Sequence, residues 1–413
     1  MNFSHLANKL RSKITKFSGI LSQDLDKTAR RFVGEAVYGI MASQSVMLTE
    51  IGRQQESDIS LKKIEERFSR QLIKPKIWDC LHNRILSQAS SRVKDRTLLI
   101  LDLSDLKKKY AEKMEHMATV RDGSDGGELV DGYWTNQVVA SEVGSHEITP
   151  LHFSLYSQAS PDFQGENNQI LKAIDQVGSA VQNRGIWVID RGGDRDKLYG
   201  PLLQNQRDFI IRMVGARDVI HQRQKARSLW LAVGCRLHYK KSFVRIIHGK
   251  EVQYNIRFGS VPVQLPDMDA PLNMVVVKGI SNKPMMLLTS LEIRPGEKDL
   301  WFIIQAYMKR WSIEETIRFI KQTYDLENIR VLKYARLQNM MALLLAVFYF
   351  VAVVLDQTQK LTIMAGHILK SAKRVFGIPD FKGDGLGNIF SRFPGKLQKQ
   401  TEIHQTQLNF GFG

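Results

Sequence analysis

Residues 97–103, TLLILDL, form a short apolar run closed by Ser104 and Asp105. A run of this length, rich in Leu and Ile and bounded by polar residues, predicts a buried strand. Asp102 alternates with Leu98 and Ile100 on one face of that strand. A lone carboxylate at the end of an apolar strand is costly to bury unless it is paired or binds a metal ion. Residues 186–190, IWVID, repeat the arrangement, with Asp190 closing a second strand. Two such strand ends can lie side by side in an α/β sheet, where ligands bind beyond the ends of strands.

Working outward, two further strands are expected near 132–143 and 147–157, joined through Gly144, Ser145 and His146. A helix over 166–181 precedes IWVID, and a helix from about Asp194 and a strand over 208–214 follow it. The order is β-β-β-α-β-α-β. From 216 to 298 short β-rich runs alternate with turns (SLWLAVGC, SFVRIIH, VQYNIRF, NMVVVKG, MMLLTSLEI), which reads as a β insertion ahead of a helix at about 297–322. Residues Met340–Leu355 are uninterruptedly apolar, but 16 residues fall short of the roughly 20 that span a bilayer, so a buried helix is expected. The first 95 residues read as helical and basic. A break at 54–58, with Ser57 or Ser60 as the next helix cap, fits a helix-turn-helix or a plain helical bundle equally. The glycines of GDGLGN (383–388) follow no strand and read as a loop. The expected division is a helical basic region (1–95), an α/β core in two parts (96–215 and 299–355), the β insertion (216–298) and a basic tail (356–413).

Residues 307–321, YMKRWSIEETIRFIK, carry the spacing Y-x2-R-x3-E-x6-K. At 100° per residue, Tyr307, Arg310, Glu314 and Lys321 share a stripe of about 60° on one helix face. Glu315 lies about 100° away from Glu314 and is expected to face solvent, Arg318 or Lys309. Three hard oxygen ligands, Asp102 and Asp190 from strands and Glu314 from a helix, suit Mg2+, which completes its shell with water and substrate phosphate. Two such ions can activate a water or a 3′-hydroxyl and stabilise a leaving oxygen. Arg310, one turn from Glu314, suits bidentate phosphate contact. Lys321 lies about 10 Å further along the same face, and Tyr307 could bond a phosphate or a carboxylate. Asp105 competes with Asp102 and Asp194 with Asp190, although Asp194, following Gly192-Gly193, reads better as a helix cap.

The chain has 413 residues, 59 Lys+Arg against 42 Asp+Glu and a formal charge of +17. That balance suits a polyanionic partner, with nucleic acid or an anionic membrane surface as candidates. Two cysteines, Cys80 and Cys235, are too few for a disulfide framework or a cysteine-rich zinc site. The N-terminal residues have no uninterrupted apolar stretch of a signal peptide, so a cytoplasmic protein is expected, at the nucleoid if the resemblance described next holds.

On Asp102 in LLILDLSD, Asp190 in the string Asp190-Arg191-Gly192-Gly193-Asp194, and the full Tyr307, Arg310, Glu314, Lys321 set, residues 97–350 resemble the DDE transposases of bacterial insertion sequences. The resemblance implies a ribonuclease-H-like mixed sheet flanked by helices, with a β insertion between the second Asp and the Glu. It implies Asp102, Asp190 and Glu314 as catalytic metal ligands, with Mg2+ as cofactor and Mn2+ able to substitute. DNA contacts would come from Tyr307, Arg310, Lys321, Trp311 and Arg191. The partners it implies are terminal inverted repeats, target DNA and a second protomer in a synaptic complex. Relatives often carry a base-stacking Trp just before the strand ending LLTS; Met285-Met286 stand there in this chain. A related nuclease of the same fold, or a non-catalytic DNA-binding protein derived from a transposase, are the alternatives.

Overall fold

The computed structural model describes residues 3–55, 57–108, 111–121, 127–247 and 250–356. Their elements, in chain order, begin with α1 (Phe3–Leu21), α2 (Lys27–Ser43), α3 (Leu48–Arg53), α4 (Leu61–Leu72) and α5 (Ile77–Ala89). Then come β1 (Leu98–Lys107), β2 (Ala118–Arg121), β3 (Leu129–Ser141), β4 (Ile148–Tyr156), α6 (Glu166–Ala180), β5 (Ile186–Ile189), α7 (Asp196–Gln204) and β6 (Asp208–Arg212). They continue with β7 (Asp218–His221), β8 (Gln224–Arg227), α8 (Ser228–Gly234), β9 (Tyr239–Ile247), β10 (Lys250–Val263), β11 (Leu272–Lys278) and β12 (Met285–Thr289). The last are α9 (Lys298–Thr323) and α10 (Tyr334–Tyr349). The described residues fall into two compact units: 3–85, 328–331 and 335–356 form a helical unit, and 86–327 with 332–334 form a sheet-centred unit.

In the helical unit, Asp26 caps α2 by accepting from the Thr28 and Ala29 backbone N–H groups. Its carboxyl is held well below the usual range by the hydrogen bond from Lys74, then by those from Thr28 and Ala29. Apolar side chains at helical spacing meet inside, with the Phe32 and Phe68 rings 5.5 Å apart. Gly39 lets α2 meet α3 closely, since a Cβ there would lie 2.6 Å from Ile51 Cγ2. Ser60 stands at the N-cap of α4 but makes no capping bond, and Ser57 Oγ instead accepts from Ile59 N–H. α4 buries Ile64, Phe68 and Leu72 and exposes Lys62, Lys63, Glu66 and Arg70.

The apolar stretch at 340–355 starts earlier than its composition suggests, within α10, and ends in a π-helical turn, Phe350–Val354. Tyr334–Val354 is the one segment among the described residues long and apolar enough to cross a membrane. Met340–Val347 are all fully buried, as in a core helix. Asn339, 6% exposed, donates to the Leu72 and Lys74 carbonyls at 2.7 and 2.9 Å and accepts from Trp78 N–H at 3.1 Å. Asn339→Leu leaves these three backbone groups short of partners. Chemical denaturation should show a loss of about 2–3 kcal/mol.

The second unit is built on one mixed sheet in the order β2-β3-β1-β5-β6-β12-β11-β10-β9, with β4 added on β3. β1 runs antiparallel to β3 and parallel to β5, and β6 continues parallel to β5. This is the expected ribonuclease-H-like arrangement. β1 is longer than its apolar run, because β3 stays paired with it from Leu98↔Ser141 to Lys107↔Gly132. Its second half, with Asp102, Ser104 and Asp105, is stabilised by cross-strand partners that periodicity cannot reveal. β2 had no apolar pattern of its own and pairs on the far side of β3.

The β-rich stretch does not form a separate body. β12 pairs antiparallel with β6, so β9–β12 extend the same sheet, while β7 and β8 form a small ribbon. SLWLAVGC, expected as a β run, is the helix α8 instead. Ser228 and Ala232, four residues apart, are its buried positions, and a run this short cannot tell helix from strand.

Candidate active site

Parallel pairing of β1 with β5 ends at Leu101↔Ile189. Asp102 and Asp190 are therefore the next residues on two neighbouring strands, side by side at the sheet's carboxyl edge. The Asp190 carboxylate accepts from Gly192 N–H at 2.7 Å and opens the 3-10 turn Arg191–Gly193. α9 crosses the sheet over β1, β5 and β6, which brings its stripe to the two aspartates.

Arg310, 5% exposed, sits between the carboxylates. Its Nη1 donates to Glu314 Oε1 and lies 3.8 Å from Asp102 Oδ1. Asp102 is pushed up to about 7, first by burial and then by the negative charge of Glu314, with Asp190 adding to it and Arg310 and Lys321 opposing it. Two carboxylates thus act on a third at the sheet edge, with the Arg310 guanidinium as the local counter-charge. Among the described residues no three Asp, Glu, His or Cys side chains converge closely enough to hold an ion as they stand. The donor chemistry still fits a hard divalent cation: all oxygen, mutually repelling and partly desolvated.

The remaining stripe residues are held from inside. Tyr307 is fully buried, its ring 5.3 Å beneath the Arg310 guanidinium and 5.9 Å from the Trp311 ring. Its hydroxyl is buried without a hydrogen-bond partner among the described residues. In this conformation it does not reach solvent, where the sequence suggested a phosphate contact. Lys321 Nζ donates to Ser104 Oγ at 2.8 Å and to the Asp105 carbonyl, which ties the far end of the stripe to β1. Trp311 is half-buried, with the Arg245 guanidinium of β9 4.6 Å from its ring centre. Sequence reasoning missed Arg245, whose partner lies in a distant element. Arg191 is exposed. The Glu315 and Arg318 side chains, and the 383–388 glycines, lie outside the described residues.

Asp194 neither competes with Asp190 nor caps the next helix. The N-cap of α7 is Arg195, with no side-chain bond. The Asp194 carboxylate is wholly buried, ion-paired with Arg217, and accepts from Tyr199 Oη at 2.9 Å and Val214 N–H at 2.6 Å. Gly192 and Gly193 made a capping role look natural, but the chain turns one residue later and sends this side chain inward. Asp194→Ala removes the buried partner of Arg217, leaving it the exposed Asp196, and unpairs the Tyr199 hydroxyl and the Val214 N–H, so it should cost about 3 kcal/mol in denaturant unfolding. Met286, at the position where a stacking Trp was expected, is 4% exposed within β12 and offers no face to a base.

A ribonuclease-H-like sheet with two aspartates on neighbouring parallel strands and a glutamate from a crossing helix defines the acidic-cluster class of fold and site. The chain belongs to the transposase DDE domain family, whose profile matches residues 94–350. It is a transposase of that family. No curated protein sequence matches the chain. Among solved structures it is similar to a piggyBac transposase synaptic complex with hairpin DNA, at 12% identity and a TM-score of 0.45 over 92% of this chain and 82% of that one.

Proposed function

We propose that this transposase belongs to the bacterial insertion-sequence group with the Y-x2-R-x3-E-x6-K signature, and that it cuts and joins DNA at the ends of its own element. Asp102, Asp190 and Glu314 would hold divalent ions, Mg2+ or Mn2+, which supply Lewis-acid polarisation of a phosphodiester and an activated water or 3′-hydroxyl. The observation that carries this reading is the placing of Asp102 and Asp190 one residue past the last parallel pair of their strands, with the charges of Glu314 and Asp190 both acting on the buried Asp102. Arg310 neutralises the carboxylates in the DNA-free protein. With ions present, its guanidinium turns to phosphate, for which its planar fork is suited. Tyr307 orients Arg310 from beneath, and Lys321 fixes the end of the stripe against β1 within reach of the same DNA strand. Arg191 and Trp311 flank the site as DNA contacts. Two protomers would bring two inverted repeats together in a synaptic complex. The protein would act in the cytoplasm at the nucleoid.

The test uses DNA flanking the reading frame, which should carry the inverted repeats. Purified protein with Mg2+ should cut this DNA at the repeat ends and join them to a target plasmid. Glu314→Gln should bind the same DNA and leave it uncut. Equal cutting by both proteins removes Glu314 from the site. Binding without cutting by the wild type, at every metal concentration, favours the non-catalytic reading.

A further inference from the structure

The outward face of the β-rich strands carries a row of cations that the active site does not use. In cross-strand register, Lys240 of β9 stands opposite Arg257 of β10, and Arg257 stands opposite Lys278 of β11. Residues directly opposite one another point to the same face of a sheet. Lys240 and Arg257 are exposed and Lys278 is half-exposed. Among the described residues none of the three forms an ion pair, and Lys278 donates to the Val233 carbonyl at the end of α8. Like charges placed directly opposite in a sheet are destabilising, so folding alone does not explain the row.

Its surroundings extend the same chemistry. The outward positions of β10 alternate as Glu251, Gln253, Asn255 and Arg257, all exposed, so the nearest acid on this face of β10 is six residues, about 20 Å, from Arg257. At the next outward position, Gly259, a Cβ would lie 2.4 Å from the Arg236 carbonyl. The glycine therefore lets residues 236–237 cross the sheet beside Arg257, with Arg236 exposed. α8 adds Trp230 and Val233, 73% and 61% exposed and one helical turn apart. The opposite face of the same strands is already occupied: Lys241, Phe243 and Arg245 meet Glu297, Trp301 and Trp311, the last two on α9.

We infer that the Lys240–Arg257–Lys278 row, flanked by Arg236 and Trp230, is a second DNA-backbone surface on the sheet face opposite α9. Strands about 4.8 Å apart spread the three cations over about 10 Å. One DNA strand presents a phosphate about every 3.4 Å of axis, so the row faces about three phosphates. It carries no base-reading geometry, so its contribution is independent of sequence. The inference rests on DNA being the substrate of this transposase and not on the metal site.

The test is binding of a short duplex of arbitrary sequence, followed by fluorescence anisotropy in EDTA, where no cutting occurs. The proteins are the full chain and its Lys240→Gln/Arg257→Gln/Lys278→Gln variant, with thermal melting as the control for folding. Between about 50 and 200 mM salt, the slope of log affinity against log salt should flatten by about 0.9 for each lost phosphate contact, or about 2.7 for three. An unchanged slope in a folded variant overturns the proposal while leaving the active-site reading intact. Failure of the wild type to bind DNA at all overturns both. A variant that keeps its DNA slope but loses binding to phosphatidylserine vesicles makes the row a membrane contact and overturns the DNA assignment.

Discussion

Asp102→Asn should give a metal-free protein that is more stable above pH 7 than the wild type and that no longer cuts DNA. The carboxyl is pushed up to about 7 by burial and by Glu314, against an ordinary value of about 4. The folded chain therefore holds a proton that the unfolded chain releases. That contribution to stability is complete below about pH 4 and is lost as pH rises through about 7. Asparagine keeps the shape without the charge, so the variant should lack this decline. The expected gain is about 2 kcal/mol at pH 8, read as a higher melting temperature in EDTA. Cutting should fall by on the order of 10^3-fold, the equivalent of about 4 kcal/mol of transition-state stabilisation. A residue with a purely structural role would show the reverse: lower stability with activity lost only in proportion to unfolding. Opposed effects on stability and activity mark a group whose charge is kept for chemistry.

Arg310→Gln should bind divalent ions more tightly than the wild type in the absence of DNA. In the wild type the guanidinium already neutralises Glu314 and lies 3.8 Å from Asp102, so an incoming ion competes with a cation built into the helix. Removing that cation should lower the Mn2+ dissociation constant by about tenfold, or about 1.4 kcal/mol, measured by calorimetry or by the EPR signal of free Mn2+. The same variant should lose end cutting, because phosphate loses its bidentate partner. Arg310→Lys keeps the charge without the planar fork, so its Mn2+ affinity should stay near wild type while cutting stays impaired. Weaker Mn2+ binding in Arg310→Gln would mean that the guanidinium supports the ion site and does not compete with it.

The parts of this protein legible in its sequence are those set by local pattern. Asp102 and Asp190 could be found because each interrupts an apolar strand at its end, and Glu314 because helix azimuth separates it from Glu315. The order of the core strands followed from the alternation of apolar runs and helices. What the sequence hid depends on distant partners. β1 reaches Lys107 only because β3 pairs along its whole length. The strands read as an insertion join the main sheet through β12 and β6, 77 residues apart at the pair Leu288↔Ile211, a contact no local pattern announces. Tyr307 shares the helix stripe with Arg310, yet it lies beneath the guanidinium and not beside it, since azimuth gives a side chain's direction and not its depth. α8 and Asp194 were misread for one reason: a short segment's role is fixed by which of its residues the rest of the unit covers.

The central claim is that Asp102, Asp190 and Glu314 form one metal site for DNA cutting. Crystals of the protein with its element-end DNA and Mn2+, measured at an anomalous wavelength, test it most directly. The predicted result is an anomalous peak with Asp102 and Asp190 carboxylate oxygens within about 2.3 Å, Glu314 turned to the same site, and the Arg310 guanidinium drawn off to a phosphate. DNA bound with no ion among these carboxylates, and Arg310 still bridging Glu314 and Asp102, would contradict it.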